Sequence, residues 1–236
     1  MKREHLLNVL AYPVTLIKKT VTIITVTPDV DIDGTNIQVL DVCDSLYAQE
    51  TFEVVIQANT YVIKYRLDQQ LIINDGAAPV VPGDFDLYLP HLVSGTPIKT
   101  DTELKPEASN LEKMPLIWLM ETYSETFRAY EDSIERDSQV KLYFLSSCNK
   151  KEWTFAQLKE KTVRPMRRLA ELFEDAMEES GRFCTEDFQP KYTNYSNFGV
   201  YITNKGAEKS LMADNLSGVE MDGTLQPYKR DECEDC

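Results

Sequence analysis

Histidine is scarce in this chain: His5 and His91 are the only two in 236 residues. A Ser/His/Asp or Cys/His catalytic set therefore has little material. Cysteine is limited to Cys43, Cys148, Cys184, Cys233 and Cys236. Their odd number and mostly apolar settings point to reduced, buried thiols. Cys233 and Cys236 have C-x-x-C spacing, but there is no second pair to complete a four-ligand zinc site. No glycine-rich phosphate loop and no G-x-S-x-G elbow occurs. Carboxylates are plentiful, but no nucleophile–base set stands out, so the expectation is a protein that is not an enzyme. No catalytic, cofactor or metal residue is assigned. No run of 18 apolar residues exists, so no membrane span is expected. The first segment, MKREHLLNVLAYPVTLIKK, is broken by Glu4, Asn8 and Pro13 and lacks a cleavage site, which fits cytoplasmic synthesis without a signal peptide.

Basic charge is the other shortage. Lysine and arginine number 25 against 39 acids, a net charge of −14. Residues 1–109 carry 8 bases and 15 acids, and the rest carries 17 and 24, so each part contributes −7. Such a surface repels phosphate and excludes non-specific nucleic-acid binding. It suits a passage through which DNA slides without sticking.

What is present is enough to fold. Hydrophobic residues make up 42% and charged residues 27% of the chain, a globular balance. Residues 3–10 suit a short helix. After Pro13 the β-branched run VTLIKKTVTIITV reads as β structure. NIQVLDVC, TFEVVIQA, YVIKYRL and QQLIIND follow as strands, with hairpin turns expected at Asn59-Thr60 and Asp75-Gly76. FDLYLPHLV (85–93), PLIWLME (115–121), VKLYFLSSC (140–148), GVYITNK and GVEMDGTLQ read as further strands. TYSETFRAYEDSIERDSQ reads as a polar loop. A strong helix begins at Thr154, with Gln157 at capping-box spacing. Phe155, Leu158, Thr162, Met166, Leu169, Phe173 and Met177 mark its apolar face. Pro165 should kink or split it, and Gly181 suits its C-terminal cap.

PDVDIDGTN (28–36) begins like an EF-hand loop, with Asp29, Asp31 and Asp33 alternating before Gly34. The match ends there. Position 12 is Leu40 rather than a bidentate Glu, position 9 is Ile37, and the flanks are β-branched. A type I′ hairpin tip at Asp33-Gly34 is the better reading, with the aspartates guarding an edge.

Two stretches read as candidate subunit interface. On the helix, Lys159, Lys161, Arg164, Arg167 and Arg168 crowd the front. Glu171, Glu174, Asp175, Glu178 and Glu179 crowd the back, which opposes the helix dipole. Such sign separation suits head-to-tail docking of identical subunits. DFQPKYTNYSNFGVY (187–201) reads as an aromatic contact loop, with Phe188, Tyr192 and Tyr195 as its contact residues.

The order GTPIK (95–99), MPLIWLMETYSE (114–125), VKLYFLSS (140–147), TVRPM (162–166) and ADNLSGVEMDGTL (213–225) resembles small virion proteins of bacteriophage neck and tail clusters, including crAss-like phages. The resemblance is to the tail-completion or tail-terminator type and covers roughly residues 85–226. It implies an α+β fold, a mixed sheet with flanking helices, in residues 85–228. Residues 1–84 would then be an added β-rich arm or inserted hairpins, and 229–236 an acidic tail. The implied function is a structural ring in the virion's neck or tail connector, sixfold or twelvefold. It would meet the portal and adjacent neck and tail proteins and surround DNA without binding it specifically. The rival reading is a β-rich module binding glycan or calcium.

Overall fold

The computed structural model describes residues 6–67, 69–74, 78–96, 114–120, 124–130, 133–149, 152–184, 188–202, 208–210 and 215–227. The chain forms two compact units: Lys18–Leu89, and Met1–Ile17 together with Pro90–Cys236. The expected turn at Asp75-Gly76 and the C-terminal C-x-x-C pair lie outside the described residues.

The first unit is a single antiparallel sheet of six strands. They are β1 Thr20–Val30, β2 Asn36–Val42, β3 Glu53–Ile56, β4 Asn59–Leu67, β5 Gln70–Asn74 and β6 Gly83–Asp86. Their order is β3-β4-β5-β2-β1-β6. β3 approaches β6, so the sheet curls toward a barrel. The reason lies in alternation: Val21, Ile23, Leu40, Val54, Ile56, Tyr61, Ile63, Leu71 and Ile73 all point inward and are buried. Ser45–Gln49 is wholly buried as well and fills the interior. Leu46 takes a left-handed φ of 48° there, held by its amide donating to Asp44 Oδ1 at 2.8 Å. The Tyr47 hydroxyl donates to the Tyr88 carbonyl at 3.0 Å.

Two glutamines hold the strand-like strap at 78–81. Gln38 accepts from the Val80 amide at 2.7 Å and donates to the Ala78 carbonyl at 3.4 Å. Gln57 donates to the Val81 carbonyl at 3.0 Å and accepts from its amide at 3.3 Å. Each side-chain amide thus imitates a neighbouring strand and satisfies backbone groups that would otherwise lack partners.

The second unit has α1 Leu6–Leu16 and one longer helix. That helix runs as α2 Phe155–Leu158, a π turn at Lys159–Val163 and α3 Arg164–Glu179. Its strands are β7 His91–Gly95, β8 Leu116–Met120, β9 Ser124–Tyr130, β10 Ser133–Ser147, β11 Phe183–Cys184, β12 Lys191–Phe198, β13 Val200–Ile202, β14 Glu208–Ser210 and β15 Leu216–Pro227. The main sheet runs β11-β15-β10-β8-β7, with β12 also on β15 and β9 also on β10. Only the β7–β8 pair is parallel among the described pairs. Leu169, Phe173, Ala176 and Met177 of α3 are buried on one sheet face, where Phe173 meets Phe144 at 5.6 Å.

The expected α+β plan, a mixed sheet with flanking helices, is overturned. The protein is mostly β, 51% strand and 21% helix, and the described residues form two helices and two main sheets, a barrel and a half-barrel, beside the small β13–β14 pair. Three segments account for the difference. The polar stretch expected as a loop is the hairpin β9–β10, paired from Ser133↔Tyr130 to Gln139↔Ser124. The expected aromatic loop is strand β12 on β15. The β structure expected after Pro13 does not begin there, because α1 runs Leu6–Leu16 and carries Pro13 inside.

Turn chemistry also differs. The β3–β4 turn is Gln57-Ala58, with φ of 52° and 66°, and Asn59 already belongs to the strand. The β1–β2 tip pairs the Gly34 amide with the Asp31 carbonyl at 2.8 Å, and only Gly34 has positive φ. That is a type I turn followed by a left-handed glycine, rather than type I′.

Candidate functional site

The long helix places the five charged interface candidates. Thr154 and Gln157 form the complete capping box. Pro165 sits in the first turn of α3, directly after the π turn. The added residue of that turn absorbs the amide proline lacks. Arg164 pairs with Glu160 at 3.1 Å. Arg167 and Arg168 share Glu171 at 3.3 and 3.5 Å. The separated charges are therefore partly joined along the helix by i,i+3 and i,i+4 pairs. Glu174 is half-buried, and its Oε1 has no hydrogen-bond partner among the described residues. Burial raises its carboxyl above the usual range, while Arg167 pulls the other way.

The aromatic candidates separate. The Arg167 guanidinium lies 3.2 Å from the Tyr192 ring centroid, so one helix candidate and one strand candidate stack together. Tyr192 and Tyr195 stand three apart on β12 and occupy opposite sheet faces. Tyr195 joins a cluster on the other face, where its hydroxyl donates to Glu220 Oε2 at 2.8 Å. Phe188 packs over Gly223, where an added Cβ would lie 2.9 Å from its ring. A bulge between Tyr195 and Phe198 returns Phe198 to the Tyr195 face. There it meets Trp118 at 5.6 Å and Tyr143 at 4.9 Å.

This face holds a partly buried polar cluster that sequence reasoning did not single out. Tyr143 is cross-strand from Glu220, and Lys141 from Asp222. Lys141 Nζ meets Glu220 Oε1 at 2.9 Å and Asp222 Oδ2 at 3.1 Å. Burial pushes the Glu220 carboxyl up, but hydrogen bonds from Lys141 and Tyr195 hold it below the usual range. Glu220 and Asp222 raise the Lys141 ammonium above its ordinary value. Burial, then Glu220, raises the Tyr143 phenol. The paired charges make a strut between β10 and β15.

The six-stranded unit exposes several apolar side chains. A bulge after Ile23 makes Ile24 the extra residue and throws it outward. A second bulge on β4 does the same to Lys64, which reaches Asp31 at 3.3 Å. Ile24, Asp41, Cys43, Leu67, Gln69 and Gln70 line an open hollow of about 600 Å³. Leu67 is 55% exposed, and Tyr65 lies exposed on the same strand. Thr25 and Gln70 donate to Asp41 and hold its carboxyl below the usual range.

The aspartates of the β1–β2 hairpin face their own loop. Asp29 accepts from the Val30 amide at 2.8 Å, Asp31 from Ile32 at 2.8 Å and Asp33 from Thr35 at 2.9 Å. Among the described residues no group of three or more His, Cys, Asp or Glu side chains is placed to hold a metal ion. Among the same residues no helix is long and apolar enough to cross a membrane. No protein-family model, curated protein or solved structure matches this chain.

Proposed function

We propose that this chain is a structural subunit that works by surface contact, in the neck or tail connector of a bacteriophage particle. The observation that carries the reading is the outer face of the six-stranded unit. Ile24, Tyr65 and Leu67 are exposed there beside an ionised Asp41, and exposed apolar side chains gathered on one face mark interaction surfaces. The net charge of −14 supports a place around passing DNA. The sequence pattern of residues 85–226 supports the virion setting, although the tail-terminator layout is not part of the proposal.

Quantitative mass spectrometry of purified particles tests it. The expected result is this chain at several copies per portal, retained through density-gradient purification. Particles that package DNA and infect without the chain would contradict it.

A further inference from the structure

We propose that the β1–β2 hairpin tip is a docking knob for a second copy of this chain, which it meets at the basic start of the long helix. The inference rests on the structural-subunit reading above and names its contact.

The knob is apolar at its apex and held in place. Ile32 is 104% exposed, and Val30 beside it is exposed too. The backbone of the tip is held, since the Asp31 amide donates to the Thr35 carbonyl and the Gly34 amide to the Asp31 carbonyl, both at 2.8 Å. The bulged Lys64 ties Asp31 to the neighbouring strand. The ordering cost of the apex is met before any partner arrives. Asp31 is paired with Lys64, and Asp29 and Asp33 leave negative charge near the tip, so anionic lipid and nucleic acid are repelled, and a basic protein surface is attracted.

The chain carries a surface of matching chemistry. Phe155, in the first turn of α2, is 71% exposed and fixed by the Thr154–Gln157 capping box. Lys159 is exposed one turn later, and Lys161 lies 5.2 Å over the Trp153 ring. From Lys159 to Arg168 there are five bases, Lys159, Lys161, Arg164, Arg167 and Arg168, against the single acid Glu160. This is a local excess of positive charge in a chain of net −14. Arg164 is paired with Glu160, and Arg167 and Arg168 with Glu171, so the bases nearest Phe155 along the helix are Lys159 and Lys161; the apolar apex with Asp29 and Asp33 beside it meets an exposed aromatic flanked by these two lysines. The two patches differ, so the contact is heterologous and propagates head to tail into a ring or a filament.

Site-specific photo-cross-linking tests this on the full chain. p-Benzoylphenylalanine is placed at position 32, and the variant is mixed with an equal amount of isotope-labelled wild type. Cross-links from position 32 to residues 153–168 of the labelled copy are expected. Cross-links confined to one copy, directed elsewhere, or absent would overturn the contact. Ile32→Asp should raise the dissociation constant of self-association at least about tenfold, as for loss of one apolar anchor. Asp33→Lys and Lys159→Glu should each weaken association, and together restore part of it. All three positions are solvent-facing, so unchanged circular dichroism will verify folding. If wild type and Ile32→Asp associate equally, the knob fails and the structural-subunit reading stands. If particles lack the chain, that reading fails whatever the cross-links show.

Discussion

Replacing Lys141 with methionine isolates the strut in the second unit. The Lys141 side chain is 42% exposed and the Glu220 side chain 7% exposed. Breaking a fully buried ion pair costs about 3–5 kcal/mol, because the surviving charge lacks a partner. Water still reaches the lysine end here, and exposed pairs contribute only about 0–1 kcal/mol. Tyr195 also keeps its hydrogen bond to Glu220. Lys141→Met should therefore destabilise by about 2 kcal/mol, between those limits. Glu220→Gln keeps the volume and an acceptor for Tyr195 and should cost about 1 kcal/mol. The double variant should be less destabilised than the sum of the singles, with a coupling of about 1 kcal/mol. Urea unfolding followed by tryptophan fluorescence in a Trp153→Phe background reads this locally, since the Trp118 ring lies 5.2 Å from Tyr143. The pH dependence has a definite sign. The folded Glu220 carboxyl lies below its ordinary 4.5, so its contribution is present above about that pH and is lost as pH falls through the folded value. Glu220→Gln should remove that part of the acid sensitivity. A Lys141→Met stability within 0.5 kcal/mol of wild type, or an unchanged acid limb in Glu220→Gln, would refute the reasoning.

Gly218→Ala should abolish folding of the second unit, because the new Cβ would sit 1.9 Å from the Phe144 carbonyl oxygen; loss of soluble protein is the readout. Gly223→Ala should be milder, since its nearest contact is the movable Phe188 ring at 2.9 Å. Ala58→Gly should raise the urea midpoint of the six-stranded unit, because a left-handed non-glycine residue carries roughly 1–2 kcal/mol of strain. Addition of calcium should leave that midpoint unchanged, since Asp29, Asp31 and Asp33 accept from their own backbone amides.

Local chemistry was legible in the sequence wherever it was self-contained. The Thr154–Gln157 capping box forms as its spacing implies, and Gly181 takes φ 58° after the helix. The apolar face expected on the helix holds from Leu158 to Met177, all six remaining positions being buried. Phe155 departs: it is the first residue of α2 and is exposed. Strand β9 and the start of β10 were hidden by their polarity: SETFRAY pairs through backbone groups and carries no apolar alternation. The Gln57-Ala58 turn was hidden because neither residue is a usual left-handed former; the Gln57 clasp on Val81 holds it. The Glu220 cluster joins Lys141 to a partner 79 positions away. The one available hint was Glu220 between the buried Val219 and Met221, an acid on the second face of an otherwise apolar strand.

Cryo-electron microscopy of intact particles tests the central claim most directly. The account predicts a closed ring of this chain in the neck or tail, with each β1–β2 hairpin seated on the neighbouring copy's residues 153–168. Particles whose neck and tail rings are all built from other chains would contradict it.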